Sequence, residues 1–181
     1  MTDLDFITDA ALRRTIEDSV EHAYVLYKET KEDSKSTLYK EETYRVIILY
    51  TVAVIEAVLL HLYKKYGEEM TYLEYKFIKQ LPPEYRHASD PKSPLVVAVQ
   101  KNVKKAEHQI TMSDLVAFFK EKKFMKPETA ENLLRINNLR NTFHLNKPRA
   151  GVICDIAQVE SALQMLVHVI QNAPKSIPKV K

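Results

Sequence analysis

Between Val46 and Tyr63 the chain reads VIILYTVAVIEAVLLHLY, eighteen residues broken only by Thr51, Glu56 and His61 among otherwise apolar or tyrosine side chains. A helix apolar on nearly every side is either the buried centre of a bundle or a membrane span. Eighteen residues is about the lower limit for spanning a bilayer. Glu56 stands in the middle of the run, where hydrocarbon would penalise a carboxylate. No second apolar run of that length occurs. The expectation is therefore a bundle centre and no membrane association. Ser36 is placed to cap the start of this helix, and Gly67 sits where a left-handed residue closes a helix, which predicts a helix over 37–66.

Gly67 and Gly151 are the only glycines among the 181 residues. Tight hairpin turns and phosphate loops depend on glycine, so a mainly helical chain is expected. Two isolated glycines cannot spell G-x-G-x-x-G, G-x-x-x-x-G-K-[ST] or G-x-S-x-G, which counts against a dinucleotide fold, a P-loop NTPase and an α/β-hydrolase elbow. Cys154 is the sole cysteine, so neither an internal disulfide nor a thiolate zinc cage is available. No metal site and no cofactor is expected. The opening MTDLDFITDA is acidic and lacks the basic-then-apolar pattern of a secretory leader, which predicts a cytoplasmic protein.

Helical periodicity recurs through most of the chain. Leu12, Ile16, Val20, Ala23, Tyr24 and Tyr27 share a stripe after a candidate cap at Asp9. Leu73, Phe77 and Ile78 suggest a short helix over 71–80. LVVAVQKNV (95–103) and EHQIT (107–111) are the two β-like stretches and are expected to pair as a small hairpin. Ser113 is a candidate cap for a helix over 114–123. Pro127 suits the first turn of a helix over 128–145. Asp155 caps a final helix, 156–172, with Ile156, Val159, Leu163, Leu166, Val167 and Ile170 inward and Pro174 as its stop. These elements predict an all-α, up-and-down bundle of four to five main helices with a small β-hairpin insertion. The chain reads as a single domain over 1–181, with a core at about 9–172 and a basic tail at 173–181.

Net charge is +3, unevenly distributed. Residues 1–35 carry five Lys/Arg against nine Asp/Glu, whereas residues 92–126 carry eight Lys against three acids. A basic middle suits a polyanion such as RNA, and equally a solvated lysine-rich face. The ten tyrosines fall mostly at core spacing and read as packing. His61 reads as a satisfied core histidine, His168 as solvent-facing, and Cys154 as a small core residue.

The stretch LRNTFHL (139–145) is different in kind. On a helix at 100° per residue, Ile136, Leu139 and Phe143 form an apolar stripe. Asn137, Arg140, Asn141 and His144 form a second, with the i, i+3, i+4, i+7 spacing of one face. Two amides, a guanidinium and an imidazole suit gripping a phosphate and moving a proton. Glu56, isolated among Val52, Ala53, Leu59, Leu60 and Tyr63, requires a partner if buried, and Arg140 or His144 is the natural candidate, beside a tyrosine or an unrelated lysine.

Taken together, LRNTFHL near the end of a late helix, the apolar AVIEAVLLHLY (53–63) before it and a last amphipathic helix after it resemble the HEPN domains. The family signature is an arginine, a polar residue and a histidine after a gap of four to six. Arg140, Asn141 and His144 match in type and order, with three residues between Arg140 and His144. The resemblance implies an all-α bundle and metal-independent cleavage of RNA. Arg140 would bind phosphate, His144 would act as general acid and base, and Asn137, Asn141 and Glu56 would support them. It also implies a homodimer with one composite site, and a setting in defence or toxin–antitoxin systems, with an antitoxin or other protein partner. The alternative is a catalytically inactive helical module of the same kind, used for dimerisation or for binding a protein or nucleotide.

Overall fold

A computed structural model describes residues 4–87, 90–143 and 154–176. Five α-helices run in the order α1 (Ala10–Thr30), α2 (Thr37–Tyr66), α3 (Met112–Glu121), α4 (Pro127–Thr142) and α5 (Ile156–Ser176). Between α2 and α3 in the sequence lie β1 (Thr71–Gln80), β2 (Arg86–His87), β3 (Asp90–Pro94) and β4 (Val96–Lys104). The chain divides into two compact units: residues 1–67 with 111–181, which hold α1 to α5, and residues 68–110, which hold β1 to β4. The protein is mostly helical. The expectation of an all-α chain is corrected by the antiparallel strands.

In the helical unit, α2 packs against each of the other four helices. Its boundaries follow from its caps. The Ser36 hydroxyl accepts the Tyr39 N–H at 3.2 Å, and Gly67, at φ 82°, closes the helix by donating its N–H to the Tyr63 carbonyl. Asp9 starts α1 by accepting the Ala11 and Leu12 N–H groups at 3.0 Å each. Ile47, Ile48 and Val52 of α2 meet Ala23 of α1, Ile136 of α4 and Val159 and Ala162 of α5 in one buried cluster that includes Cys154. Burial pushes the Cys154 thiol up to about 12, which leaves it protonated and unreactive at neutral pH. A second cluster is aromatic. Phe118 of α3 meets Tyr63 and Tyr66 of α2 edge-on, and Phe119 contacts Phe118 and Phe124.

The apolar run of α2 is not buried all round. Ile47, Ile48, Val52, Ile55, Val58 and Leu59 are at most 1% exposed, but Val46, Leu49 and Tyr50 are 37–41% exposed. Ala53 lies exposed beside them. By length and composition α2 is able to cross a membrane, a property it shares with core helices of soluble proteins.

Several element assignments differ from expectation. The stretch 71–80 is a strand, not a helix. Leu73, Phe77 and Ile78 mimic helical spacing, but Leu73, Tyr75 and Phe77 alternate at period two and pair with valine-rich β4. The β4 partner is therefore β1 rather than EHQIT, whose residues Glu107–Gln109 form a 3₁₀ turn. The register runs Thr71 opposite Lys104 to Phe77 opposite Ala98, then shifts between Phe77 and Lys79. Thr111, not Ser113, caps α3, because its hydroxyl accepts the Asp114 N–H while the Asp114 carboxylate accepts the Thr111 N–H, a reciprocal box that starts the helix earlier. Asp155 does cap α5. That helix nevertheless continues through Pro174 to Ser176. A proline in the last turn forfeits a single backbone bond, and the Ser176 hydroxyl donates to the Asn172 carbonyl across that turn. Val167, expected inward, is 42% exposed. Tyr24, Tyr39, Tyr50, Tyr75 and Tyr85 are exposed as well, so packing accounts for fewer tyrosines than their spacing suggested.

Candidate functional site

Helix α4 carries most of the candidate residues. Pro127 occupies its first turn, and its buried face is formed by Ala130, Leu133, Ile136 and Asn137. Asn137 is 5% exposed, and its Oδ1 has no hydrogen-bond partner. It belongs to the packed face rather than to an open polar stripe. The pattern Ala130, Leu133, Asn137 at i, i+3, i+7 carries that signal in the sequence.

One helical turn on, Arg140 is half-buried and reaches α2. Its Nη1 donates to Glu56 Oε2 at 3.2 Å, with about a quarter of each side chain exposed. Its Nη2 donates to Asn141 Oδ1 at 3.4 Å. Its Nε is buried and has no partner. The Glu56–Arg140 pair is the contact that an isolated carboxylate in an apolar run requires. It ties the middle of α2 to the end of α4 and fixes the plane of the guanidinium. That leaves Arg140 with an anchored fork whose terminal nitrogens each carry a second N–H, able to donate to an anionic oxygen, while the buried Nε is closed to one.

Helix α4 ends at Thr142. Phe143 follows as its cap, donating its N–H to the Arg140 carbonyl at 3.1 Å, and the Thr142 hydroxyl donates to the Leu139 carbonyl at 2.7 Å. The helix is shorter than the expected 128–145. The shared helical face of Arg140 and His144 therefore relies on a register that the described helix does not reach. His144 itself lies outside the described residues, as does the loop NKPRAG, 146–151.

The remaining histidines separate into distinct environments. His61 has a buried Nε2 with no partner, so it is not the satisfied core histidine its position suggested. His168 is exposed, with Nε2 3.4 Å from the Thr129 hydroxyl and Nδ1 3.3 Å from the Asn172 amide. Among the described residues no group of three or more His, Cys, Asp or Glu side chains is arranged to hold a metal ion.

Among the clefts that the described residues form on the helical unit, two are larger than a third of about 200 Å³ beside His168 and Thr129. One, of about 360 Å³, is lined by Arg135, Leu139 and Thr142 of α4 and by Gln158 and Ser161 of α5. The other, of about 550 Å³, runs between α1 and α5 over Val20, Tyr24, Leu163 and Val167. At the rim of the second, the Tyr27 hydroxyl and the Lys31 ammonium both donate to Glu160, at 2.7 and 3.0 Å, and these bonds hold the Glu160 carboxyl below its ordinary range. Among the described residues, none of these clefts is lined by Arg140. Comparison of the chain with protein-family models, with curated proteins and with solved structures returned no match.

Proposed function

We propose that this protein is a HEPN-like endoribonuclease that cleaves RNA without a metal ion. Arg140 binds the scissile phosphate, and His144 serves as general acid and base. The observation that carries this reading is the anchored guanidinium: Glu56 and Asn141 fix the two terminal nitrogens of Arg140 in a half-buried position at the edge of α2. In this chemistry the ribose 2′-oxygen attacks the adjacent phosphate and expels the 5′-oxygen. His144, whose side-chain type titrates nearest neutrality, takes the proton from the one and supplies a proton to the other. The charge that develops on the phosphorane is met by the arginine fork. Glu56 is a positioning residue, acting through Arg140. Asn141 orients the same fork, and buried Asn137 supports the turn beneath it.

The reading includes an up-and-down order of the helices, a homodimer whose two motifs complete one site, a cytoplasmic location, and a role in defence or as a toxin held by an antitoxin or another protein partner. A second reading, a non-catalytic HEPN-like module for dimerisation or for binding a protein or nucleotide, is favoured by a specific observation. Glu56 already engages one terminal nitrogen of Arg140, and a carboxylate there competes with phosphate.

The reaction itself separates the two. Single-stranded RNA should be cut to fragments ending in a 2′,3′-cyclic phosphate, and the same sequence carrying 2′-deoxyribose should stay intact, because it lacks the attacking hydroxyl. Equal cutting of both substrates would remove the proposed chemistry. Binding of both without cutting would leave the non-catalytic module.

A further inference from the structure

The strand unit carries a row of large side chains that strand pairing leaves bare. Leu73, Tyr75 and Phe77 alternate along β1 and so share one face of the ribbon that β1 forms with β4. They are 53%, 68% and 60% exposed. A single exposed apolar side chain is ordinary, but a row of three on one strand face marks a binding surface. Across the ribbon the same face presents Asn102 opposite Leu73, Gln100 opposite Tyr75 and Ala98 opposite Phe77, all exposed. Among the described residues, neither the Gln100 nor the Asn102 amide is engaged by another side chain.

Charge is sorted onto the other face. Glu74 is the sole acid in β1 and β4, and it stands on that face opposite Lys101. Strict alternation would put Lys79 in line with Tyr75 and Phe77. The register shift between Phe77 and Lys79 instead sets Lys79 opposite Val97, on the face that holds Lys76 and Lys101. The ring face therefore holds no carboxylate in either strand, and its one charge, Lys104, is bonded to Glu69 at the end of the ribbon. Lys76 and Lys79 have no acid across from them, because their cross-strand partners are Val99 and Val97. In a ribbon of two strands about 4.8 Å apart, lysine stems on one face can pass the edge and meet a chain lying on the other.

We infer that this ribbon binds single-stranded nucleic acid, with bases stacked on Tyr75 and Phe77 and phosphates met by Lys76 and Lys79. Rings two residues apart stand about 6.8 Å apart along the strand, so each offers its face to a base of its own. A π face accepts any base, the Gln100 and Asn102 amides can donate to and accept from base edges, and the lysines neutralise the backbone. Uncharged rings beside an amide row, bordered by lysines without opposing acids, match a polyanion whose bases are splayed out rather than paired. A duplex keeps its base faces inside its own stack. The inference goes beyond the ribonuclease reading: the site is built from residues 71–104, uses neither Arg140 nor His144, and requires no cleavage.

Fluorescence anisotropy tests the site with two labelled probes, oligouridylate and the 2′-deoxyuridine strand of the same length. The deoxy strand lacks the attacking hydroxyl, so it reads binding without cleavage. Both should bind, and the ratio of their affinities tells RNA from DNA as the strand held. Annealing the deoxy strand to oligodeoxyadenylate should weaken binding by at least about tenfold, because its base faces are then already stacked. Tyr75→Leu and Phe77→Leu keep an apolar side chain but lose the flat ring. Each should weaken binding by about 5- to 150-fold, whereas Tyr75→Phe should bind as the unmodified chain does. A face built to dock a protein would tolerate leucine. Lys76→Gln, at an exposed position, should flatten the slope of log affinity against log salt by about 0.7. No binding of the deoxy strand, equal binding of its duplex, or unchanged affinity in both leucine variants would each overturn the proposal. Binding of the deoxy strand beside RNA that stays uncut upholds this site and removes only the ribonuclease reading.

Discussion

Arg140→Ala should reduce cleavage of single-stranded RNA by about 10²–10³-fold, the usual cost of removing one preorganised donor to a developing oxyanion. The same substitution strips Glu56 of its partner. A half-buried carboxylate left unpaired should cost about 1–2 kcal/mol of stability, less than a fully buried pair because solvent still reaches both side chains. Two effects in one variant need separating. Arg140→Lys keeps a cation beside Glu56 but loses the planar fork, so it should restore most of the thermal midpoint while leaving cleavage low. His144→Ala should match Arg140→Ala in activity. If Arg140→Ala cleaves at the unmodified rate once its stability is matched by temperature, the guanidinium has no part in the chemistry.

Phe119→Ala should destabilise the helical unit by about 3–5 kcal/mol, the range for deleting a large buried ring. Phe119 is 1% exposed and contacts both Phe118 and Phe124. Those rings continue to Tyr63 and Tyr66, so the deletion opens a gap where α2, α3 and the segment after α3 meet. Urea unfolding followed by circular dichroism measures it. A shift under 1 kcal/mol would mean the cluster collapses around the missing ring and is not a packed core.

How far the sequence discloses this molecule depends on the physics at each position. The bounds of α2 were legible because its ends are chemical: a serine that caps and a glycine at φ 82°. The Glu56–Arg140 contact was legible because a lone carboxylate in an apolar run demands a cation. The uncovered stripe on α2 was not, since Val46 and Leu49 look like Ile47 and Ile48 until neighbouring helices cover one side and leave the other. Strand β1 was misread because Leu73 and Phe77 fit both periods, and only pairing with β4 decides between them. Within LRNTFHL, the wheel placed Asn137 and Arg140 on one stripe. Packing instead draws Asn137 into the core and leaves Arg140 at the boundary with solvent. The motif is thus less a polar face than a single guanidinium held at the edge of α2.

The proposed reaction centres on that guanidinium and uses no metal ion. The most direct measurement is incubation of the purified, unmodified chain with single-stranded RNA in excess EDTA. Cleavage at the same rate with and without the chelator is the predicted result. RNA that stays intact in both conditions, or cleavage that EDTA abolishes and a divalent cation restores, would contradict it.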